Sequence, residues 1–192
     1  MLKDPSAPPS AAAFALYEST DEQRFELMRN NPMPPAEDLA GWEFNGTNVG
    51  PLQGLIGIRK FRKGFYLGPE RATGGPRSEL HGFNIPVRQT GVEGRYHAKP
   101  SDENPKRFGF YRVYSAALNP RYNRFPQAWL LDYGLGGNGL AVEALLRDYL
   151  VQANPGSSDL LLGWACFHGG LAAIPGGFFV LERARPHSFQ GA

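Results

Sequence analysis

Helix-breaking residues punctuate this chain from end to end, with 24 glycines and 17 prolines spread through 192 residues. Each costs roughly 1–3 kcal/mol in a helix interior, so few long helices can run uninterrupted. A helical bundle is disfavoured, and the strand–helix alternation of a doubly wound α/β fold is hard to thread. Short strands joined by turns remain. The hydrophobic share of 42% belongs to a folded chain rather than a disordered one. A chain of this length can bury one sizeable core.

Residues 1–13 are rich in Pro, Ala and Ser and predict a disordered tail, leaving 14–192 as a single domain. Thr20, with Gln23 three residues on, forms a capping box that starts a short helix, and Asn30-Asn31-Pro32 ends it. From residue 39 the apolar period becomes two. Strands are predicted over 39–47, 55–66, 80–88, 94–98, 107–115, 128–133, 160–167 and 178–185. Asn45-Gly46 predicts a turn or a bulge. Residues 140–154 fit a helical stripe through Val142, Leu145, Leu146, Tyr149 and Leu150, and also a strand from 147 onward. The turn chemistry of Pro155-Gly156-Ser157-Ser158 favours the hairpin. Roughly seven to ten short strands after one early helix point to a mainly β fold, an antiparallel up-and-down barrel whose closure removes exposed strand edges.

Cys166 is the only cysteine, which excludes an internal disulfide and a thiolate metal cluster. Its apolar surroundings, 160–167, predict a buried and inert thiol. No apolar run reaches the length of about 18 residues that a membrane helix needs. The chain also begins without signal-peptide order, because Asp4 follows Lys3 and Glu18 ends the apolar run 11–17. The expected location is cytoplasmic. Charge is unevenly placed: residues 1–58 carry 3 basic and 8 acidic side chains, 59–125 carry 14 and 5, and 126–192 carry 3 and 5. A basic middle attracts an anion, a nucleic acid or an acidic membrane surface, or else it lies under the acidic N-terminal segment.

The first strand carries Gly41-Trp42-Glu43-Phe44-Asn45-Gly46 just after a short helix, and the chain closes on Phe178-Phe179-Val180-Leu181-Glu182-Arg183. This arrangement resembles the calycin superfamily of lipocalins and fatty-acid-binding proteins. The resemblance implies a barrel with Trp42 closing its base and Arg183 or Arg185 packed across the indole, a cation–π contact worth about 0.5–2 kcal/mol. Gly41 directly precedes Trp42, where lipocalins place one residue between the two. The chain is similar to the same degree to uncharacterised bacterial barrel families that share only the architecture.

Arg112-Val113-Tyr114 is the leading candidate for ligand contact. Residues two apart on a strand share a face, so Arg112 and Tyr114 are expected to project with Phe108 and Phe110. A guanidinium and a phenol at the end of an apolar cavity would hold a carboxylate. The pair resembles the Arg-x-Tyr anchor of intracellular lipid-binding proteins. Asp132, in the apolar strand 128–133, offers an ion-pair partner for Arg112 or an acid–base group. The four histidines, His81, His97, His168 and His187, lack metal-ligand spacing. No nucleophile elbow or phosphate loop occurs, so no cofactor is expected. Residues 58–66 interleave Arg59, Lys60, Arg62 and Lys63 with aromatics, as single-stranded nucleic-acid binders do. The leading expectation is a barrel that binds a small hydrophobic or amphipathic, including anionic, ligand. An isomerase or hydrolase using Asp132 or a histidine in the same cavity is the alternative, followed by nucleic-acid or membrane-surface binding through 58–66.

Overall fold

The computed structural model describes residues 4–50, 57–68, 80–169 and 172–191. Helix α1 (Ala11–Glu18) starts at Ser10, whose hydroxyl accepts from the Ala13 amide. Helix α2 (Asp21–Asn30) carries the capping box that its sequence predicts, with Thr20 and Gln23 satisfying each other's amides. Buried Arg24 locks the two helices together by donating to the carbonyls of Leu16, Tyr17 and Ser19. One further turn, α3 (Ala36–Leu39), leads into the sheet.

Eight strands follow: β1 (Trp42–Val49), β2 (Lys60–Leu67), β3 (Leu80–Pro86), β4 (Phe108–Ser115), β5 (Trp129–Asp132), β6 (Leu146–Gln152), β7 (Leu160–Gly169) and β8 (Ala172–Pro186). Each pairs antiparallel with the next, and β8 returns to pair with β1. The result is a closed up-and-down barrel, as the strand pattern implies. Residues 94–98 form no strand and contribute only the isolated bridge Val87↔Ala98. Asn45-Gly46 is no turn, because both residues stay in register with Arg62 and Phe61 in mid-strand. The ambiguous stretch resolves as a 3-10 turn (Val142–Leu145) followed by β6, so the hairpin reading holds there. The predicted strand 55–66 begins partly outside the described residues.

One apolar cluster draws Phe44, Phe65, Tyr111, Val113, Leu131, Tyr133, Leu150, Leu161, Phe179 and Leu181 from seven strands, which identifies it as the barrel interior. A second cluster, with Tyr149, Val151, Leu162, Trp164, Phe178 and Val180, lies outside the wall beneath α1 and α2. A third lies outside β2 and β3, where Phe189 of the C-terminal segment joins Tyr66 and Phe83. Both faces of much of the sheet are therefore buried. Residues 4–10, expected as part of a loose tail, lie against the barrel through hydrogen bonds. The Pro5 carbonyl accepts from Asn45 and Arg62, and Ser6 O accepts from the Tyr96 amide. No helix of the described residues is long and apolar enough to cross a membrane.

Interior rings lie flat against wall glycines. A Cβ on Gly46 would overlap the Phe61 ring, one on Gly82 the Tyr111 ring, and one on Gly163 the Phe179 ring. Gly163→Ala must displace the fully packed Phe179 ring and is expected to lower stability by about 1–3 kcal/mol in urea denaturation. An unchanged midpoint would show that the ring moves freely.

Candidate functional site

The two ends of the barrel differ. At the end where the N-terminal segment enters, the Arg183 guanidinium lies over the Trp42 ring, 4.6 Å from its centroid, and 5.3 Å from that of Phe44. Arg183 also donates to Asp38 O (2.8 Å), Ser158 O (3.3 Å) and Asp159 Oδ1 (2.7 Å). Trp129 donates its indole N–H to Pro34 O at 2.7 Å, and Leu39 fills the space between as a fully buried side chain. This end is a floor, riveted by one cation. Arg185 points elsewhere and pairs with Glu43 at 2.7 Å.

The opposite end gathers the β1–β2, β3–β4, β5–β6 and β7–β8 connections. Six exposed aliphatic side chains stand there, Ile58, Leu135, Leu140, Val142, Leu145 and Ile174, against Leu67 and Leu118 at the floor end. Below this rim, the interior holds a polar cluster. Lys63 Nζ lies 3.0 Å from Asp148 Oδ2 and 3.0 Å from Asn84 Oδ1, and it donates to the Tyr133 hydroxyl. Tyr133 in turn donates to Asp148 Oδ2 at 3.1 Å, and Asn84 Nδ2 reaches Tyr133 Oη and Gly109 O, each at 3.2 Å. The rings of Phe61, Tyr111, Tyr133 and Phe179 surround the ammonium with centroids 5.0–5.3 Å away. Burial pushes the Lys63 ammonium below its usual pKa, and the adjacent Asp148 carboxylate opposes that shift. The phenols of Tyr111 and Tyr133 are held far above the ordinary tyrosine range, first by burial and then by the Asp148 charge. Asp148 Oδ1 is buried and has no hydrogen-bond partner.

The expected ligand face of β4 is reversed. Tyr111 and Val113 point inward, whereas Tyr114 packs on the outer cluster beside Tyr149 and Trp164. Arg112, on the same face as Tyr114, also lies outside. Phe110 joins the outer aromatic cluster with Phe83 and Phe189. Phe108 stands opposite Asn84, beyond a register irregularity at Gly109, whose φ of +54° breaks the alternation of the strand. Tyr114 and Asp132 do meet, with a 2.8 Å hydrogen bond, but on the outside of the barrel. Arg147 Nε lies 3.1 Å from Asp132 Oδ1, and Arg112 stands directly opposite Asp132 in the β4–β5 register. Burial, and then the Asp132 carboxylate, raise the Tyr114 phenol to about 12 against the opposing effects of Asn119 and Arg147. The acid–base candidates Asp132 and His168 thus belong to the outer surface; His168 sits on Cys166 (3.1 Å) and on the Tyr122 ring. The Cys166 thiol is buried and pushed up to about 12, chiefly by desolvation.

The basic segment 58–66 presents no row of free cations. Lys60, Arg62 and Lys63 are all buried, and Arg59 alone of the four is exposed. Lys60 caps the Gly94 carbonyl and stands 4.2 Å over the Tyr96 ring. Arg62 meets Glu43 and Asp102, each at 3.3 Å, together with Asn45 and the Pro5 carbonyl. The acidic N-terminal segment therefore engages the basic middle, with Asp4 on Arg95 (2.8 Å) as a second example. A strand whose cations are spent inside the fold cannot track a phosphate backbone, which removes the basis for nucleic-acid or membrane-surface binding through it. Among the described residues no group of three or more His, Cys, Asp or Glu side chains could hold a metal ion.

Two clefts lie outside the wall. One runs under α1 between Ala13, Tyr96 and Glu182; the other is lined by Arg88, His97, Ser101 and Asp102. Neither is lined by an interior side chain. Alternation alone gave no reason to single out Lys63 or Asp148, although a lysine in phase with Phe61 and Phe65 was the available signal.

The fold and this cluster define a class: a closed eight-stranded antiparallel barrel with an arginine–indole contact at one end and a charged pair in its interior. That architecture is compatible with the calycin plan. No protein-family model, no curated protein and no solved structure matches the chain.

Removing one member of a buried pair leaves an uncompensated charge, so Lys63→Met is expected to cost about 3–5 kcal/mol in urea denaturation. The double variant Lys63→Met/Asp148→Leu should recover most of that loss, and a single variant within about 1 kcal/mol of wild type would contradict the pairing. Lys60 makes a separate prediction. Burial lowers its pKa from 10.5 to about 8. The unfolded chain then holds more protons between these values, so the stability of wild type relative to Lys60→Met should rise from about pH 8 to about pH 10.5. A difference that stays flat over that window would show Lys60 to be well solvated.

Proposed function

We propose that the barrel binds a small, mainly apolar molecule through its aliphatic-rimmed end, with the ligand's polar group meeting the Lys63–Asp148 cluster. The observation that carries this reading is the charged pair itself, enclosed by four aromatic rings. A buried pair contributes less to stability than apolar side chains of the same volume would, so packing alone does not account for it. The floor at Trp42 and Arg183 leaves one end for approach, and the exposed aliphatic side chains stand at that end. Phe61, half-buried between the rim and Lys63, is the ring that an incoming molecule displaces.

A binding role fits the cluster better than proton transfer. All three Lys63 donors are engaged, by Asp148, Asn84 and Tyr133, so the amine offers no free lone pair. The interior is also closely packed with rings, so a ligand enters only as Phe61 moves aside. Titration with a neutral naphthylamine fluorophore, read by emission and by native mass spectrometry, tests the reading. Saturable one-to-one binding is expected, with tighter binding to Phe61→Ala, which opens the passage. Absence of saturable binding in both proteins would overturn it.

A further inference from the structure

The hydrogen-bond inventory of the interior cluster specifies the ligand's polar group, resting on the binding reading above. Lys63 spends its donors on Asp148 Oδ2, Asn84 Oδ1 and the Tyr133 hydroxyl. The Asn84 amide spends its two on Tyr133 and Gly109 O, and Tyr133 spends its one on Asp148 Oδ2. Tyr111, the other phenol beside the ammonium, donates to Gly64 O at 3.2 Å. Every side-chain donor in the cluster is occupied, and one acceptor, Asp148 Oδ1, is left over.

We infer that this site takes a neutral hydrogen-bond donor, a hydroxyl or N–H at the end of an apolar molecule, onto Asp148 Oδ1 and discriminates against carboxylates. The charge of Lys63 is already balanced by Asp148 at 3.0 Å. A carboxylate would add a second negative charge beside Asp148 in a low-dielectric interior and would find no donor free to receive it. A hydroxyl supplies the missing donor, and a hydrogen bond to a charged acceptor is roughly twice as strong as a neutral one. Glu43 also has an unpartnered oxygen, but its carboxylate lies outside the wall, wedged between Arg62 and Arg185. Asp148, on the interior face, is paired with one cation, Lys63.

Three chain-matched competitors decide the matter: decanol, decanoate and methyl decanoate, each displacing the naphthylamine fluorophore from wild-type protein. Decanol is expected to bind at least about tenfold more tightly than either of the others. In Lys63→Met/Asp148→Leu that preference should vanish while the affinity for methyl decanoate holds. Decanoate equal to or better than decanol in wild type overturns the inference and leaves the binding reading standing. An alcohol preference that survives in the double variant also overturns it, because the donor would then be received elsewhere. Fluorophore binding with no displacement by any of the three overturns it too, whereas failure of the fluorophore itself to bind removes the binding reading as well. The wild-type ranking carries the test by itself if the double variant does not fold.

Discussion

The pairing of β8 with β1 is the constraint on which the rest of the molecule depends. β8 spans 15 residues and serves two neighbours, running along β7 on one side and β1 on the other. Its register slips against each of them, between Glu43 and Phe44 and between Ala165 and Cys166, where the strand must bend to complete the circuit. Closure leaves no unpaired strand edge, and it gives the sheet an inside. Once there is an inside, adjacent residues of one strand enter different environments. Arg62 and Lys63 are neighbours in the chain, yet one joins Glu43 outside the wall and the other joins Asp148 within it.

The outside is covered almost as thoroughly as the inside. Helices α1 and α2 cover Trp164, Phe178 and Val180, and the C-terminal segment places Phe189 on Phe83. The Arg62 network sits beneath the N-terminal segment and has a structural explanation: its guanidinium donates to the Pro5 carbonyl and so ties the leading residues to the barrel. The interior network has no segment to anchor. Lys63, Asn84 and Asp148 come from the wall and are placed by strand register, and Tyr133 comes from the turn that directly follows β5. The two buried networks are therefore similar in composition and different in consequence.

This double covering explains which parts of the structure were legible in the sequence. The strands could be read because their apolar period and turn residues are local properties, as the hairpin around Pro155-Gly156 shows. The floor could be approached only through the calycin resemblance, which implies an arginine of the last strand packed across the Trp42 indole. The inward face of β4 could not be read. Where only one face is buried, polarity tells inside from outside. Here Phe110 is needed outside by Phe83 and Phe189, and Tyr111 is needed inside over Gly82, so both faces look apolar. Arg112 and Tyr114 were drawn toward the interior by their aromatic neighbours, while the cation that does enter the barrel stood in a run of basic residues that looked like a surface. The bulge at Gly109 adds a break in alternation that no pattern of period two anticipates.

The asymmetry between the two ends carries the argument about function one step further. At the floor, Arg183 is held by an indole face and three oxygen acceptors from two segments, so a cation there is consumed by closing the barrel. Toward the rim, Lys63 is equally consumed, but by a carboxylate that keeps one oxygen unused. A closed barrel with two saturated cations would be a packed structural body, complete in itself. The remaining acceptor makes the rim side chemically incomplete, and the exposed aliphatic side chains above it make that same side the one that apolar matter can approach with gain. On the proposed binding reading, an apolar approach combined with a single interior acceptor would favour a molecule that is apolar along its length and donates one hydrogen bond at its tip.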